Sequence, residues 1–452
     1  MALVVLNPAT EEPLAELEQA GVDEADEAVA RAKAAFPAWR RVAPADRARL
    51  LRRLAILVEE HADELAAIES RNVGKPIAGA RAEVGMVAQV FHYYAGAVDK
   101  AFGETIPVAG GEAFTFREPL GVVGLIVPWN FPLNIASWKL GPALACGNTV
   151  VLKPAELTPL SALRLAELAL EAGIPDGVVN VIVGKGSIVG TRLVEHPDVA
   201  KIGFTGSTEV GQTVMRGAAG TIKRVTLELG GKSGNVVFED ADLERAAASA
   251  PYAVFDNAGQ DCCARSRILV QRSVYDRFLG LLVEATRGVR VGDPASEETE
   301  MGPLISAQHR ETVASFLDDG VSVAFRGEVP DGPGFWFPCT LVEASNADRI
   351  AREEVFGPVA ALIPFADEEE AVRLVNDTPY GLSGSIWTRD VGRALRVSRA
   401  VESGVLSVNS NSSVRVTTPF GGFKQSGFGR ELGMHALEGY SELKTVFVST
   451  EE

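Results

Sequence analysis

The sequence predicts an α/β protein made of two doubly wound parallel-sheet lobes with something smaller attached, and three observations carry that expectation. Short apolar runs at 122–127, 149–152, 178–183, 201–204 and 225–229 alternate with helical patterns such as 161–172 and 209–217. Runs that are apolar throughout, without polar alternation, suit strands buried on both faces, as in a parallel sheet. The same rhythm resumes beyond residue 356, and 452 residues are too many for one hydrophobic core.

Taken in order, residues 1–75 read as a short extended start followed by amphipathic helix. Leu50, Leu54, Leu57, His61, Leu65 and Ile68 recur three or four apart and form one stripe. His61 is expected at its edge with a single hydrogen-bond partner. A second helix is expected over 83–100, with Tyr93 and Tyr94 packing. Residues 119–138 carry no charge and are long enough to span a bilayer. Pro128, Asn130, Pro132 and Asn134 interrupt them, so they read as a buried strand, a turn and a helix start. In the second lobe, helices are expected at 243–255, 275–286, 368–374 and 392–401, and strands at 267–271, 359–364, 383–387 and 405–408. A Gly/Pro-rich region, 292–338, separates its halves.

Composition excludes several classes. A net charge of −17 with no basic block argues against a nucleic-acid partner. Four cysteines and five histidines without ligand spacing predict neither a disulfide scaffold nor a metal site. The start, Met1-Ala-Leu-Val-Val-Leu, has no basic segment before an apolar core, so no export signal is expected, and a reducing, cytoplasmic setting is.

The chemistry concentrates in a few stretches. Asn257-Ala-Gly-Gln-Asp-Cys262-Cys263-Ala-Arg265-Ser-Arg267 places two adjacent thiols in a polar segment with arginines nearby, which suits a nucleophile better than a packing residue. Gly184-Lys-Gly186-Ser-Ile-Val-Gly190 and Phe204-Thr-Gly206-Ser207 each follow a strand and open a helix, where backbone N–H groups meet phosphate. Lys153 and Glu156 end a strand at the carboxyl edge, where ligands bind; a surface ion pair is the plainer alternative. Glu228 ends an apolar strand before two glycines and is either a general base of raised pKa or a partner of Lys232.

In order and spacing these stretches resemble the aldehyde dehydrogenase superfamily over essentially the whole chain. The match runs through Pro128-Trp-Asn130-Phe-Pro, Lys153-Pro-Ala-Glu156, Phe204-Thr-Gly206-Ser207-Thr, Glu228-Leu-Gly-Gly-Lys, Gly259-Gln-Asp-Cys262, Glu353-Glu354-Val-Phe356-Gly-Pro and Pro419-Phe420-Gly-Gly-Phe-Lys-Gln-Ser-Gly. The resemblance implies a Rossmann-type cofactor domain (1–100 and 120–230), a second α/β catalytic domain (231–430) and a small β oligomerisation flap (101–119 and 431–452). It implies Cys262 as nucleophile, Asn130 as oxyanion donor and Glu228 as the base for thioester hydrolysis. NAD is the implied cofactor, with NADP the alternative, held by Ile126, Trp129, Lys153, Glu156, Gly186, Gly190, Phe204, Gly206, Ser207, Leu229, Glu354 and Phe356. Phe131, Asn134, Trp138, Phe420 and Arg415, with the 409–416 loop, are the implied substrate pocket.

The wording around Cys262 is similar to the branch acting on aminoaldehydes and betaine aldehyde, so oxidation of an aminoaldehyde or a broad aldehyde range is the expected activity. Arg415 and Arg265 favour instead a semialdehyde bearing a carboxylate. Acyl transfer to coenzyme A and a catalytically silent structural relative are the further alternatives. The resemblance also implies a homodimer or homotetramer bridged through residues 445–449. The chain starts almost directly at Asn7-Pro8, without the extended N-terminal segment of many relatives, so the choice between the two stays open.

Overall fold

The computed structural model describes residues 2–318, 320–412 and 414–451. Ser413 of the 409–416 loop and the terminal Glu452 of the expected flap lie outside them.

A six-stranded sheet holds five parallel strands in the spatial order Arg224–Glu228, Val199–Thr205, Val122–Ile126, Thr149–Lys153, Val179–Val181. The chain winds outward from Val122–Ile126 in both directions, so its winding reverses between that strand and Val199–Thr205. Such a switch point opens a crevice at the carboxyl ends of the strands. Register places Ile126 beside both Lys153 and Phe204, and Thr205 beside Glu228, so these side chains converge on one rim. Every residue of Val122–Ile126 and Thr149–Lys153 is buried, which is why their sequence runs show no polar alternation.

A seven-stranded sheet follows, in the order Ser322–Arg326, Thr340–Glu343, Val359–Phe365, Arg267–Gln271, Gly234–Val237, Ser383–Trp387, Val405–Val408, all neighbours parallel except the first pair. Gly234–Val237, Thr340–Glu343 and the helix Ala307–Ala314 go beyond the elements read from the sequence. The two strands are four residues long and adjoin glycine or proline, so pairing with neighbours, more than local pattern, makes them strands. A three-stranded sheet joins Ser441–Ser449, Gly111–Pro119 and Thr105–Val108 antiparallel.

The apolar stripe from Leu50 to Ile68 is not one helix. Pro44–Glu60 and Ala62–Val73 meet at His61, whose φ of −102° and ψ of 20° break the spiral. His61 Nδ1 lies 2.7 Å from Glu64 Oε2 and 3.4 Å from Arg164 Nη2, two partners where one was expected. The next helix starts at Ile77, directly after Pro76, and runs to Ala97. The uncharged stretch 119–138 divides into the strand Val122–Ile126 and a helix, Pro132–Ala145, with proline in its first turn. Among the described residues, no helix is long and apolar enough to cross a membrane.

The C-terminal segment is locked to that helix by a buried ion pair, Lys139 Nζ to Glu431 Oε1 at 2.7 Å, both side chains at most 1% exposed. Breaking such a pair leaves an uncompensated charge in the interior. Lys139→Met is therefore expected to lower unfolding stability by about 3–5 kcal/mol, measured as a shift of the denaturant midpoint at constant slope. A loss below about 1 kcal/mol would mean that the pair is no stronger than a surface one.

Candidate active site

The segment between the helix Leu243–Phe255 and the strand Arg267–Gln271 is held in an unusual backbone conformation. Asn257, Ala258 and Gly259 have φ of 48°, 56° and 72°, three left-handed residues in succession. Glycine is required at the third: a Cβ there would lie 2.2 Å from Gly357 O. Buried amides hold the run. Asn130 Nδ2 donates to Gln260 O (2.8 Å), Asn257 Nδ2 to Asn130 O (2.9 Å), Gln260 Nε2 to Asn257 O (2.9 Å), and Gln260 Oε1 accepts from Ile305 N (2.8 Å). A tight turn follows, with Ala264 N donating to Asp261 O and Cys263 N to Asp261 Oδ1.

This turn presents Cys262 to a cavity of about 250 Å³ that it shares with Trp129, Asn130, Gly206, Ser207, Leu229, Glu354 and Phe356. Residues from both large sheets thus meet at one thiol. The thiol is pushed well above its usual pKa by a hydrogen bond with Cys263, by burial and by the charges of Cys263, Asp261 and Glu354. The expectation that Arg265 or Arg267 favours the thiolate is corrected here. Arg265 donates to Cys263 O (2.6 Å) and Ser385 Oγ (3.2 Å), and Arg267 donates to the carbonyls of Lys232, Leu374 and Val375. Both guanidinium groups brace the backbone of the second lobe.

Glu228 is 4% exposed, and neither carboxylate oxygen has a hydrogen-bond partner. Burial, then the charge of Glu431, holds its pKa well above the carboxylate range. Its alternative partner, Lys232, is itself buried, lowered to about 7 by desolvation, and feels Glu354 and Glu353 instead. Glu354 Oε1 accepts from Gly231 N at 2.9 Å, and burial raises that carboxyl to about 7. Phe356, left-handed at φ 54°, stacks edge-on against Trp129 with centroids 5.3 Å apart, and its carbonyl lies 2.7 Å from His309 Nε2.

A second cavity, about 690 Å³, opens at the switch point between Ile126, Gly186, Gly190 and Phe204 on one side and the helix Thr208–Ala219 on the other. Ser207 caps that helix, its Oγ accepting from Val210 N. Lys153 and Glu156 stand at the same strand end without lining the cavity; Lys153 is buried, donates to Pro154 O and feels the Glu156 charge.

The expected pocket residues form a neighbouring group. Phe131, Trp138 and Phe420 share one apolar cluster with Cys262, Cys263, Val414 and Val416. Trp138 packs on Phe420 with centroids 5.2 Å apart and donates from Nε1 to Asn134 Oδ1. Arg415 is exposed, its Nη1 bonded to Ser412 O and Oγ.

Several residues of this site go beyond the sequence reading. Gln260, fully buried, and His309 act through backbone groups, which leaves no spacing signal. Val210, Thr213, Val214 and Gly217 line the larger cavity at intervals of three and four, a small-residue helix face that the sequence does carry.

Comparison with known proteins agrees with this geometry. Residues 2–446 match the model of the aldehyde dehydrogenase family. A betaine aldehyde dehydrogenase of Bacillus subtilis is 42% identical over 459 residues, covering 99% of this chain and 94% of the relative. An aldehyde dehydrogenase of Emericella nidulans is 45% identical over 98% of this chain and 90% of its own length. Among solved structures, PnpE in complex with nicotinamide adenine dinucleotide superposes with a TM-score of 0.98 at 44% identity, covering 100% of this chain and 95% of that one. The chain belongs to the aldehyde dehydrogenase family.

Proposed function

We propose that this aldehyde dehydrogenase works through Cys262 as nucleophile, Asn130 as oxyanion donor and Glu228 as hydrolytic base. The observation that carries the reading is the single cavity in which Cys262 faces Asn130 from one lobe and Glu354 and Phe356 from the other. The Cys262 thiol gives its proton to water, and the thiolate Sγ attacks the aldehyde carbon, whose carbonyl oxygen becomes an oxyanion. One N–H of the Asn130 amide is committed to Gln260 O, which orients the second toward that oxyanion. NAD, when bound, supplies the hydride acceptor that turns the adduct on Cys262 into a thioester. Glu228 then takes a proton from water, which releases the carboxylic acid. With that base in place, hydrolysis is favoured over transfer to coenzyme A.

The residues present fit NAD. The switch-point cavity suits the adenosine, the N-terminus of the helix Thr208–Ala219 suits the pyrophosphate, and Glu354 and Phe356 suit the nicotinamide riboside. The carboxylate of Glu156 disfavours a 2′-phosphate and so NADP. The lobe of the six-stranded sheet is accordingly the cofactor domain, and that of the seven-stranded sheet the catalytic domain.

A cationic aldehyde, carrying an amine or trimethylammonium group, is the substrate class this site favours. Asp261 adjoins the thiol, and Asp256 and Glu83 lie in line beyond it, each raising the pKa of its neighbour. Asp261 and Glu83 are half-buried and Asp256 is exposed, and desolvation around each carboxyl shifts it upward. Lys75 offsets part of that charge, bonding Glu83 at 2.6 Å and lying 4.6 Å from the Phe131 ring centroid. A substrate cation neutralises what is left and lowers the cost of the Cys262 thiolate. The relative named betaine aldehyde dehydrogenase supports the same class. Arg415 faces Ser412 and gives a carboxylated semialdehyde little support.

Copies of the chain join through the sheet of Ser441–Ser449, whose Leu443, Val446, Phe447 and Val448 are exposed together with Phe116, giving a homodimer or homotetramer. Four free cysteines suit the cytoplasm.

Cys262→Ala is expected to abolish NAD reduction while NAD binding stays within about threefold of wild type, whereas Cys263→Ala is mild; retention of a substantial rate by Cys262→Ala overturns the nucleophile. Because the raised pKa of Glu228 must be passed before the carboxylate can act as base, deacylation-limited turnover rises with pH above the ordinary carboxylate range. Glu228→Gln should leave a fast burst, slow turnover and no such rise; an unchanged steady-state rate removes the base role. For substrate class, kcat/KM is expected to fall from betaine aldehyde and aminobutyraldehyde to propanal and succinate semialdehyde. Asp256→Asn should raise KM for the cationic aldehydes about tenfold and leave propanal unchanged. Equal effects on both would sink the assignment.

A further inference from the structure

The turn that carries the nucleophile also brings three soft or anionic ligands together. Asp261, Cys262 and Cys263 are consecutive, and their side-chain ligand atoms all lie within 4.8 Å of one another. Backbone geometry causes this. The Asp261-to-Ala264 hydrogen bond closes the turn, and Asp261 Oδ1 folds back to accept from Cys263 N at 2.9 Å. Adjacent side chains that would diverge in a strand are thereby drawn to one side, with the two thiols within 4.8 Å of each other. The turn is braced from behind by Arg265 on Cys263 O and by Asn130 on Gln260 O. Cys263 has no part in the mechanism above.

We propose that Asp261, Cys262 and Cys263 form a binding site for a thiophilic divalent cation of the zinc class, and that its occupation reversibly silences the enzyme. Two thiolates on one zinc at about 2.3 Å sit roughly 3.8 Å apart, with a carboxylate oxygen at about 2.0 Å from the metal, and ligand atoms within 4.8 Å of one another need move by about an ångström or less to converge on one ion. Thiolate ligands select zinc or cadmium over magnesium or calcium. The braced backbone supplies the outer support that metal ligands need. The fourth coordination position faces the cavity beside Asn130 and Glu354, where water completes the shell. On binding, two S–H bonds are lost and two sulfur–metal bonds form. Both protons pass to the buffer and no group is oxidised or reduced. The Cys262 lone pair that attacks the aldehyde is then engaged by the metal. Inhibition in this form rests on Cys262 being the nucleophile; occupation of the site does not.

The test uses the full chain in metal-free buffer, with zinc chloride as the inhibitor and cadmium chloride as the optical probe. Zinc is expected to stop NAD reduction and chelation to restore it. Cys263→Ser should keep most of its uninhibited rate and need about tenfold or more zinc for half inhibition. Cadmium added to wild type should give the ultraviolet thiolate-to-metal absorption of two thiolates, which Cys262→Ala removes. Zinc sensitivity unchanged in Cys263→Ser overturns the site, and so does a wild-type cadmium signal of one thiolate or none. If Cys262→Ala keeps its turnover, the nucleophile falls instead, while the cadmium absorption still decides the metal site.

Discussion

Asn130, Asn257 and Gln260 are buried amides whose hydrogen bonds close on one another between the two lobes, and the position of the nucleophile depends on that closure. Asn130 follows a strand of the six-stranded sheet, while Asn257 and Gln260 lead into a strand of the seven-stranded one. The clamp therefore sets Cys262 against the other sheet's rim. Holding Ala258 left-handed costs about 1–2 kcal/mol, and the four bonds of the clamp at about 1 kcal/mol each exceed that. Losing one amide leaves a buried partner unpaired, which costs more than the bond was worth.

The electrostatics of the site follow from the same closure. Once the lobes meet, Glu228, Glu354, Asp261 and Cys262 lose water together, and burial raises each of them. With both the Cys262 thiol and the Glu228 carboxyl raised, the interior disfavours negative charge on either. Positive charge or hydrogen-bond donors brought to such an interior offset that cost, the basis on which a cationic aldehyde is proposed as the substrate. A thiophilic cation exploits the same imbalance.

Much of the fold is legible along the chain because the parallel strands are buried on both faces and therefore write themselves as unbroken apolar runs. Val122–Ile126 is of this kind, and so is Arg267–Gln271 between its polar ends. Gly234–Val237 lies in the interior of its sheet, paired on both sides, yet is only four residues beginning with glycine, so its pairing partners carry the information. The break at His61 is likewise invisible to periodicity, since both helices turn the same stripe inward.

At the site, the family resemblance in residue identity and order names Cys262, Glu228, Asn130, Glu354 and Phe356 as candidates, and the fold brings all of these but Glu228 to one cavity. Tertiary structure decided how those groups are charged. Arg265, whose role the sequence leaves open, braces Cys263 O in the fold, and the thiol is raised by Cys263, by burial and then by the charges of Asp261 and Glu354. Gln260 and His309 gain their places only through backbone carbonyls and amides that meet after folding. Side-chain chemistry is local and can be read from the chain. Desolvation and through-space charge depend on what the other lobe brings alongside, and only the packed molecule determines that.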